Sequence, residues 1–184
     1  MFVRTDRLLL RPGWIEDAPA LARAVNSDPA IAGNTARIPW PYTLEHAQDF
    51  LSSGQEPHAP ACLVFARTSG APRLVGSVGI HPDDDGLEIG YWIARPYWGL
   101  GFATEAAAGL LRAARGSLKL DRIHSGHFAD NPASGRVLRK LGFRPTGRVV
   151  KRHSLARGGE ADCLIYAEAA EAPCNEPMRC LEAA

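Results

Sequence analysis

The chain reads as a mixed α/β domain: a twisted, mostly antiparallel sheet of about seven strands with helices on both faces. Three observations predict it. Apolar, β-branched runs over residues 61–68, 73–81 and 87–94 follow one another with no helix between them, and so do 143–152 and 161–167. Strands joined directly by turns pair antiparallel. Two strand–helix–strand passages, through residues 102–115 and through a helix starting at Asn131, allow parallel neighbours. Hydrophobic residues make up 46 % of 184, enough for one core in one domain of ordinary size.

In chain order, residues 3–11 lead into Leu8-Leu9-Leu10 and predict the first strand, ended by Pro12-Gly13. Glu16 and Asp17 precede Leu21, Ala22 and Val25 at helical spacing, so acids fall in the first turn of a helix that ends near Asn26-Ser27. Pro39-Trp40-Pro41-Tyr42 is a stiff aromatic loop. Trp14, Trp40 and Tyr42 are residue types expected in a core. Thr43 is an N-cap, with His46 where a capping box would carry Glu or Gln, and its helix runs to about Ser52. A loop over 53–60 leads to the strands 61–68 and 73–81, which are joined by a turn at Ser69-Gly70-Ala71-Pro72. His81 and the aspartates Asp83, Asp84 and Asp85 read as a solvated turn, since no metal-ligand pattern follows them.

Strand 87–94, the breaker-rich turn 96–101 and the Ala/Leu-rich helix 102–115 form the centre of the chain. A connection over 116–119 leads to strand 122–127. The next helix has Asn131 at its cap, Pro132 at its first position and Gly142 past its end. Strands 143–152 and 161–167 are joined through Arg157-Gly158-Gly159. The domain is therefore expected over 1–168, with an Ala/Glu-rich tail, 169–184, expected to be partly disordered.

Composition narrows the function. A net charge of +1 gives no broad footprint for nucleic acid. No apolar run is long enough to span a bilayer, and residues 1–6 lack a signal-peptide core, so the expectation is a cytoplasmic chain away from membranes. Cys62 and Cys163 lie in apolar runs and read as buried thiols, while Cys174 and Cys180 lie in the tail. None has metal-ligand spacing. His124 and His127, three apart on a strand, point to opposite faces and make no metal pair. No metal is expected.

A strand, a glycine turn and a helix start make a place for an anion. Backbone N–H groups are free at a helix N-terminus, and Gly99 and Gly101 let the main chain come close. The turn lacks the Lys-Ser/Thr of a nucleotide P-loop and the third glycine of a dinucleotide fingerprint. The wider string Tyr97-Trp98-Gly99-Leu100-Gly101-Phe102-Ala103-Thr104-Glu105-Ala106 resembles the pyrophosphate loop of the GNAT N-acetyltransferases, most of all the branch that includes the ribosomal-protein N-terminal acetyltransferases. Trp98 stands where the superfamily usually has Gln or Arg, a departure common in this branch. A second landmark, Asn131-Pro132-Ala133-Ser134 with Leu138-Arg139-Lys140-Leu141-Gly142-Phe143, resembles the family's Asn-x-x-Ser helix and its closing Lys-x-Gly-Phe. The resemblance covers roughly Val3 to Glu168.

That resemblance implies the GNAT fold, with a splay between the fourth and fifth strands. It also implies transfer of an acetyl group from acetyl-CoA to a primary amine, either a protein N-terminus or a small molecule. Backbone amides from Trp98 through Gly99, Leu100, Gly101, Phe102 and Ala103 to Thr104 would hold the pyrophosphate. Trp92, Ile93 and Ala94 would hold the pantetheine arm, with the N–H of Ile93 or a neighbour facing the thioester oxygen. Ser134 would donate a proton to the departing thiolate, and Asn131 would touch the pantetheine amides while capping its helix. The loop Gly33 to Tyr42 would border the acceptor channel. Glu88 is a lone carboxylate within the central strand, a costly place for a charge. It is either the general base, as in some members of the family, or a residue on a solvated face or paired with an arginine. A non-catalytic acyl-CoA-binding domain is the alternative function, and monomer and homodimer both remain open.

Overall fold

The computed structural model describes residues 1–53 and 59–168. The expected tail, with Cys174 and Cys180, lies outside the described residues. Eight strands form one sheet in the order β1-β2-β3-β4-β5-β6-β8-β7. They are β1 Val3–Arg4, β2 Leu8–Arg11, β3 Ala61–Ala66, β4 Arg73–Asp83, β5 Gly86–Ile93, β6 Ile123–Phe128, β7 Phe143–Ser154 and β8 Gly159–Glu168. The helices are α1 Ala18–Val25, α2 Pro29–Gly33, α3 Leu44–Ser52, α4 Phe102–Ala113 and α5 Pro132–Lys140.

Two elements differ from the sequence reading. The first strand is a hairpin, with Val3 opposite Leu10 and Arg4 opposite Leu9. Thr5 closes its turn, since its N–H reaches Leu8 O at 3.0 Å and its hydroxyl accepts the Leu8 N–H at 3.0 Å. The strand count therefore rises from about seven to eight. The short helix α2 was also unforeseen. Its start is built from Asp28, whose carboxylate accepts the Ala30 N–H at 2.8 Å, and from Pro29 in the first turn. Helix α3 begins as expected, and His46 does the work of the missing Glu: Thr43 Oγ1 accepts the His46 N–H, and His46 Nδ1 accepts the Thr43 N–H at 3.1 Å.

Strand alternation assigns two faces. Leu8, Leu10, Cys62, Val64, Val78, Ile80, Ile89 and Ile93 pack against α4, whose Ala106, Ala107, Leu110 and Leu111 are buried. Burial of a leucine such as Leu110 is worth about 1.5–3 kcal/mol. The opposite face carries Leu63 and Phe65, covered by Ala18, Leu21, Val25, Ile31, Tyr42 and Ala47, with Trp92 packed against them. Tyr42 is thus a core residue as expected. Trp14 and Trp40 are not, being 51 % and 39 % exposed.

Every neighbouring pair of strands is antiparallel except β5 and β6. That parallel ladder holds only Leu87–Ile123 and Glu88–His124. Beyond it the strands part, which is the expected splay. Ser125 closes its base by donating to Ile89 O at 2.8 Å.

Candidate functional site

The loop after β5 starts at the open end of this splay. A turn over Arg95–Tyr97 leads to Gly99 and Gly101, whose φ values of 79° and 80° are left-handed and suit glycine. Trp98 is fastened: its indole N–H donates to Ile93 O at 2.5 Å, and Arg95 lies over its ring. Helix α4 makes its first internal bond from the Glu105 N–H to Gly101 O, 3.0 Å. Among the described residues, the backbone N–H groups of Gly99, Leu100, Gly101, Phe102, Ala103 and Thr104 have no protein acceptor. A Cβ at Gly99 would meet nothing within 4 Å. Free amides on an open helix start favour an anion. The residues read from sequence as a pyrophosphate loop are therefore brought together, with Trp92, Ile93 and Ala94 leading into them along β5.

Helix α5 supplies the other wall. Asn131 caps it, its side chain accepting the Ser134 N–H at 3.3 Å. Ser134 is half-buried in the first turn, and its hydroxyl lies 2.9 Å from the hydroxyl of Tyr91, on β5. Burial pushes the Tyr91 hydroxyl up to about 12, the Ser134 contact opposing the rise and Tyr166 adding to it. Tyr91 therefore stays protonated at neutral pH, a standing donor beside Ser134. Tyr91 reaches Ser134 from the strand across the splay. Sequence spacing held no signal for this contact. The same wall buries His127, whose Nε2 has no partner and would clash with a Cβ at Gly135.

The opposite sheet face, beyond α1–α3, holds an ionic cluster that the sequence did not reveal. Glu88 is buried, with Oε1 2.5 Å from Arg152 Nη1 and Oε2 3.1 Å from His81 Nε2. Burial alone would raise its carboxyl, but the bonds from His81 and Arg152 outweigh that and hold it below the ordinary value. Of the alternatives open at Glu88, the arginine pair is present, and a carboxylate held this way is a weakened base. His81 is not a turn residue: it lies within β4 opposite Glu88. Asp83 is not a solvated turn residue either. It bonds His124 Nε2 at 2.9 Å and faces Arg152 at 3.8 Å. Asp83, Glu88 and His124 bring ligand-type atoms within 4.8 Å of one another. The Arg152 guanidinium reaches both carboxylates, so a metal ion there would compete with a fixed cation.

The tip of the β7–β8 hairpin closes this side. Ser154 Oγ donates to Thr35 O at 2.8 Å, the Leu155 N–H to Ala36 O at 3.0 Å, and Arg157 Nε to Gly33 O at 2.6 Å. The loop read as bordering the acceptor channel is thus tied to the tip of the last strand pair. Gly90, on the same face as Glu88 and Trp92, leaves space there: a Cβ would meet only His81, at 3.5 Å.

Comparison with known proteins finds relatives of the same fold. Residues 7–144 match the family described as acetyltransferase (GNAT) domain. The uncharacterized N-acetyltransferase YoaA of Bacillus subtilis is 29 % identical over 169 residues, spanning 89 % of this chain and 94 % of that protein. A GNAT-family acetyltransferase from Bacillus anthracis superposes with a TM-score of 0.74 at 28 % identity, covering 91 % of this chain and 97 % of that one. The ribosomal L7/L12 alpha-N-protein acetyltransferase RimL, solved with coenzyme A, superposes with a TM-score of 0.75 over 91 % of this chain and 97 % of its own. At 21 % identity it shows the shared fold.

Proposed function

The chain belongs to the GNAT acetyltransferase family, and from that premise we propose that it moves an acetyl group from acetyl-CoA to a primary amine by direct attack in a ternary complex. The row of unpartnered amides from Gly99 to Thr104 beside the β5–β6 splay carries this reading. Acetyl-CoA supplies the thioester: its carbonyl carbon takes the amine nitrogen, and its C–S bond breaks to a thiolate. The chain's own residues do the rest. Amides of 99–104 hold the diphosphate, and β5 meets the pantetheine arm at Ile93 as a strand edge would; the Ala94 N–H is turned the other way, to Val75 O, and Ile93 O already takes the Trp98 indole N–H. Asn131 caps α5 so that Ser134 faces the splay. The Tyr91 hydroxyl lies 2.9 Å from Ser134 Oγ and 3.2 Å from Ser134 O; when it donates to Oγ, the Ser134 proton is free to pass to the thiolate.

An amine of pKa near ~10 must lose a proton before attack. Glu88 is placed to serve through His81: it accepts from His81 Nε2, which leaves Nδ1 of that partly exposed ring to take the proton. The acceptor enters on the face carrying His81, Gly90 and Trp92, beneath the hairpin tip. A protein N-terminus, the substrate class that RimL's name carries, and a small amine are the two acceptor classes to assay.

The test is thiol release from acetyl-CoA across a panel of N-terminal peptides and small amines. Amine-dependent release that falls by at least about a hundredfold in Ser134→Ala and in His81→Ala is the expected result, the lower end of acid–base contributions. CoA binding with no turnover on any amine would leave a cofactor-binding domain and contradict the proposal.

A further inference from the structure

We propose that Arg7 is a positioning residue for the diphosphate of the acyl carrier, acting through the peptide between Leu100 and Gly101; this rests on the function proposed above. Arg7 sits in the β1–β2 turn, remote in sequence from the loop it touches. Its backbone N–H donates to Glu105 Oε1 at 2.9 Å, and its Nε and Nη2 reach Glu105 Oε2 at 2.7 and 2.6 Å. Thr5 Oγ1 donates to the same carboxylate at 2.6 Å. Burial would raise the Glu105 carboxyl, but these bonds outweigh it and keep it ionised. The guanidinium is therefore fixed in direction, and it also lies over the Phe102 ring.

So fixed, Arg7 Nη1 donates to Leu100 O at 2.9 Å. In a planar trans peptide the carbonyl and the following N–H point opposite ways. Holding Leu100 O toward the β1–β2 turn turns the Gly101 N–H to the other side. Without that bond little would set this plane. The flanking Gly99 and Gly101 are free to rotate, and the Leu100 side chain is 51 % exposed and packs weakly. Glu105 anchors the arginine, the arginine orients one peptide, and that peptide presents one amide to the anion. The contact adds little to stability, because the Arg7 side chain is 52 % exposed.

The experiment compares acetyl-CoA with acetyl-pantetheine, which lacks the diphosphate, in wild type, Arg7→Ala, Arg7→Lys and Glu105→Gln. Arg7→Ala is expected to raise the KM for acetyl-CoA about tenfold, the scale of one charge-assisted hydrogen bond, with kcat at saturation nearly unchanged. Arg7→Lys should recover part of the loss and Glu105→Gln should share it. The kcat/KM for acetyl-pantetheine should not move. An unchanged KM for acetyl-CoA in Arg7→Ala overturns the proposal, and so does an equal loss with both donors, which would mark a general structural role. Calorimetric CoA affinity reads the same effect without turnover: a tenfold loss in Arg7→Ala supports it, and equal affinity contradicts it. Absence of CoA binding in wild type would instead overturn the function proposed above.

Discussion

Ser134 and Tyr91 show what one hydroxyl pair can do. Tyr91 keeps its proton, so its removal should leave Ser134 in place but free to turn. We expect Tyr91→Phe to lower kcat by roughly tenfold while CoA affinity stays within about twofold, the split expected of a group that acts only as charge develops. Equal turnover would remove Tyr91 from the relay. Glu88 makes a different prediction. A carboxyl lowered on folding stabilises the fold above its unfolded pKa, and that contribution is lost as pH falls through the folded value. Wild type should therefore lose stability on the acid side of about 4.3, the ordinary glutamate value, and Glu88→Gln should lose that part of the acid dependence. At neutral pH the variant should be less stable by about 3 kcal/mol, because Arg152 loses its short ion pair with Glu88 and keeps only Asp83, at 3.8 Å. Denaturant melts across pH check both. Ser134 and Asn131 were legible in the sequence because a four-residue motif places them. Tyr91, Arg152 and Arg7 were not, because their partners are distant in the chain: 43 positions separate Tyr91 from Ser134, and 64 separate Arg152 from Glu88. His81 was not because its place opposite Glu88 depends on where the β4–β5 turn falls.

At the scale of elements, the signals that worked were local and chemical. Thr43, Pro132 and Gly142 mark helix ends by satisfying or lacking backbone groups, and the structure begins and ends α3 and α5 within a residue or two of them. The first hairpin was missed because Leu8-Leu9-Leu10 extends an apolar run backward over Thr5-Asp6-Arg7, whose turn depends on Thr5 bonding Leu8. Helix α2 was missed because five residues are too few for a periodic pattern, although Asp28-Pro29 is a start signal. The glycine turn carries the sharpest prediction here. Gly101→Val forces a branched residue to a φ of 80° at the start of α4, so it should abolish measurable CoA binding and destabilise the fold by more than about 1 kcal/mol. A folded variant with wild-type CoA affinity would count against the loop. Asn131→Ala, by contrast, should cost only about 1 kcal/mol as a lost N-cap.

Across the whole molecule, a sheet with one short parallel ladder is what opens a cleft. Antiparallel partners hold the strands on either side, so the divergence past Glu88 and His124 stands between two stable blocks. The order of elements made that topology readable, since consecutive strands constrain their own pairing. The closure of the acceptor side was not readable, because it joins the β7–β8 tip to residues 33–36 more than a hundred positions away. Among the described residues no helix is long and apolar enough to cross a membrane. The most direct measurement is a titration of isotope-labelled protein with CoA, followed by backbone amide resonances. Large shifts at Gly99, Gly101, Phe102 and Ala103, with smaller ones along Trp92 to Ala94 and at Ser134, are the predicted result. Amides of 99–104 that stay unmoved while CoA binds elsewhere, or a saturating titration with no shift at all, would contradict the account.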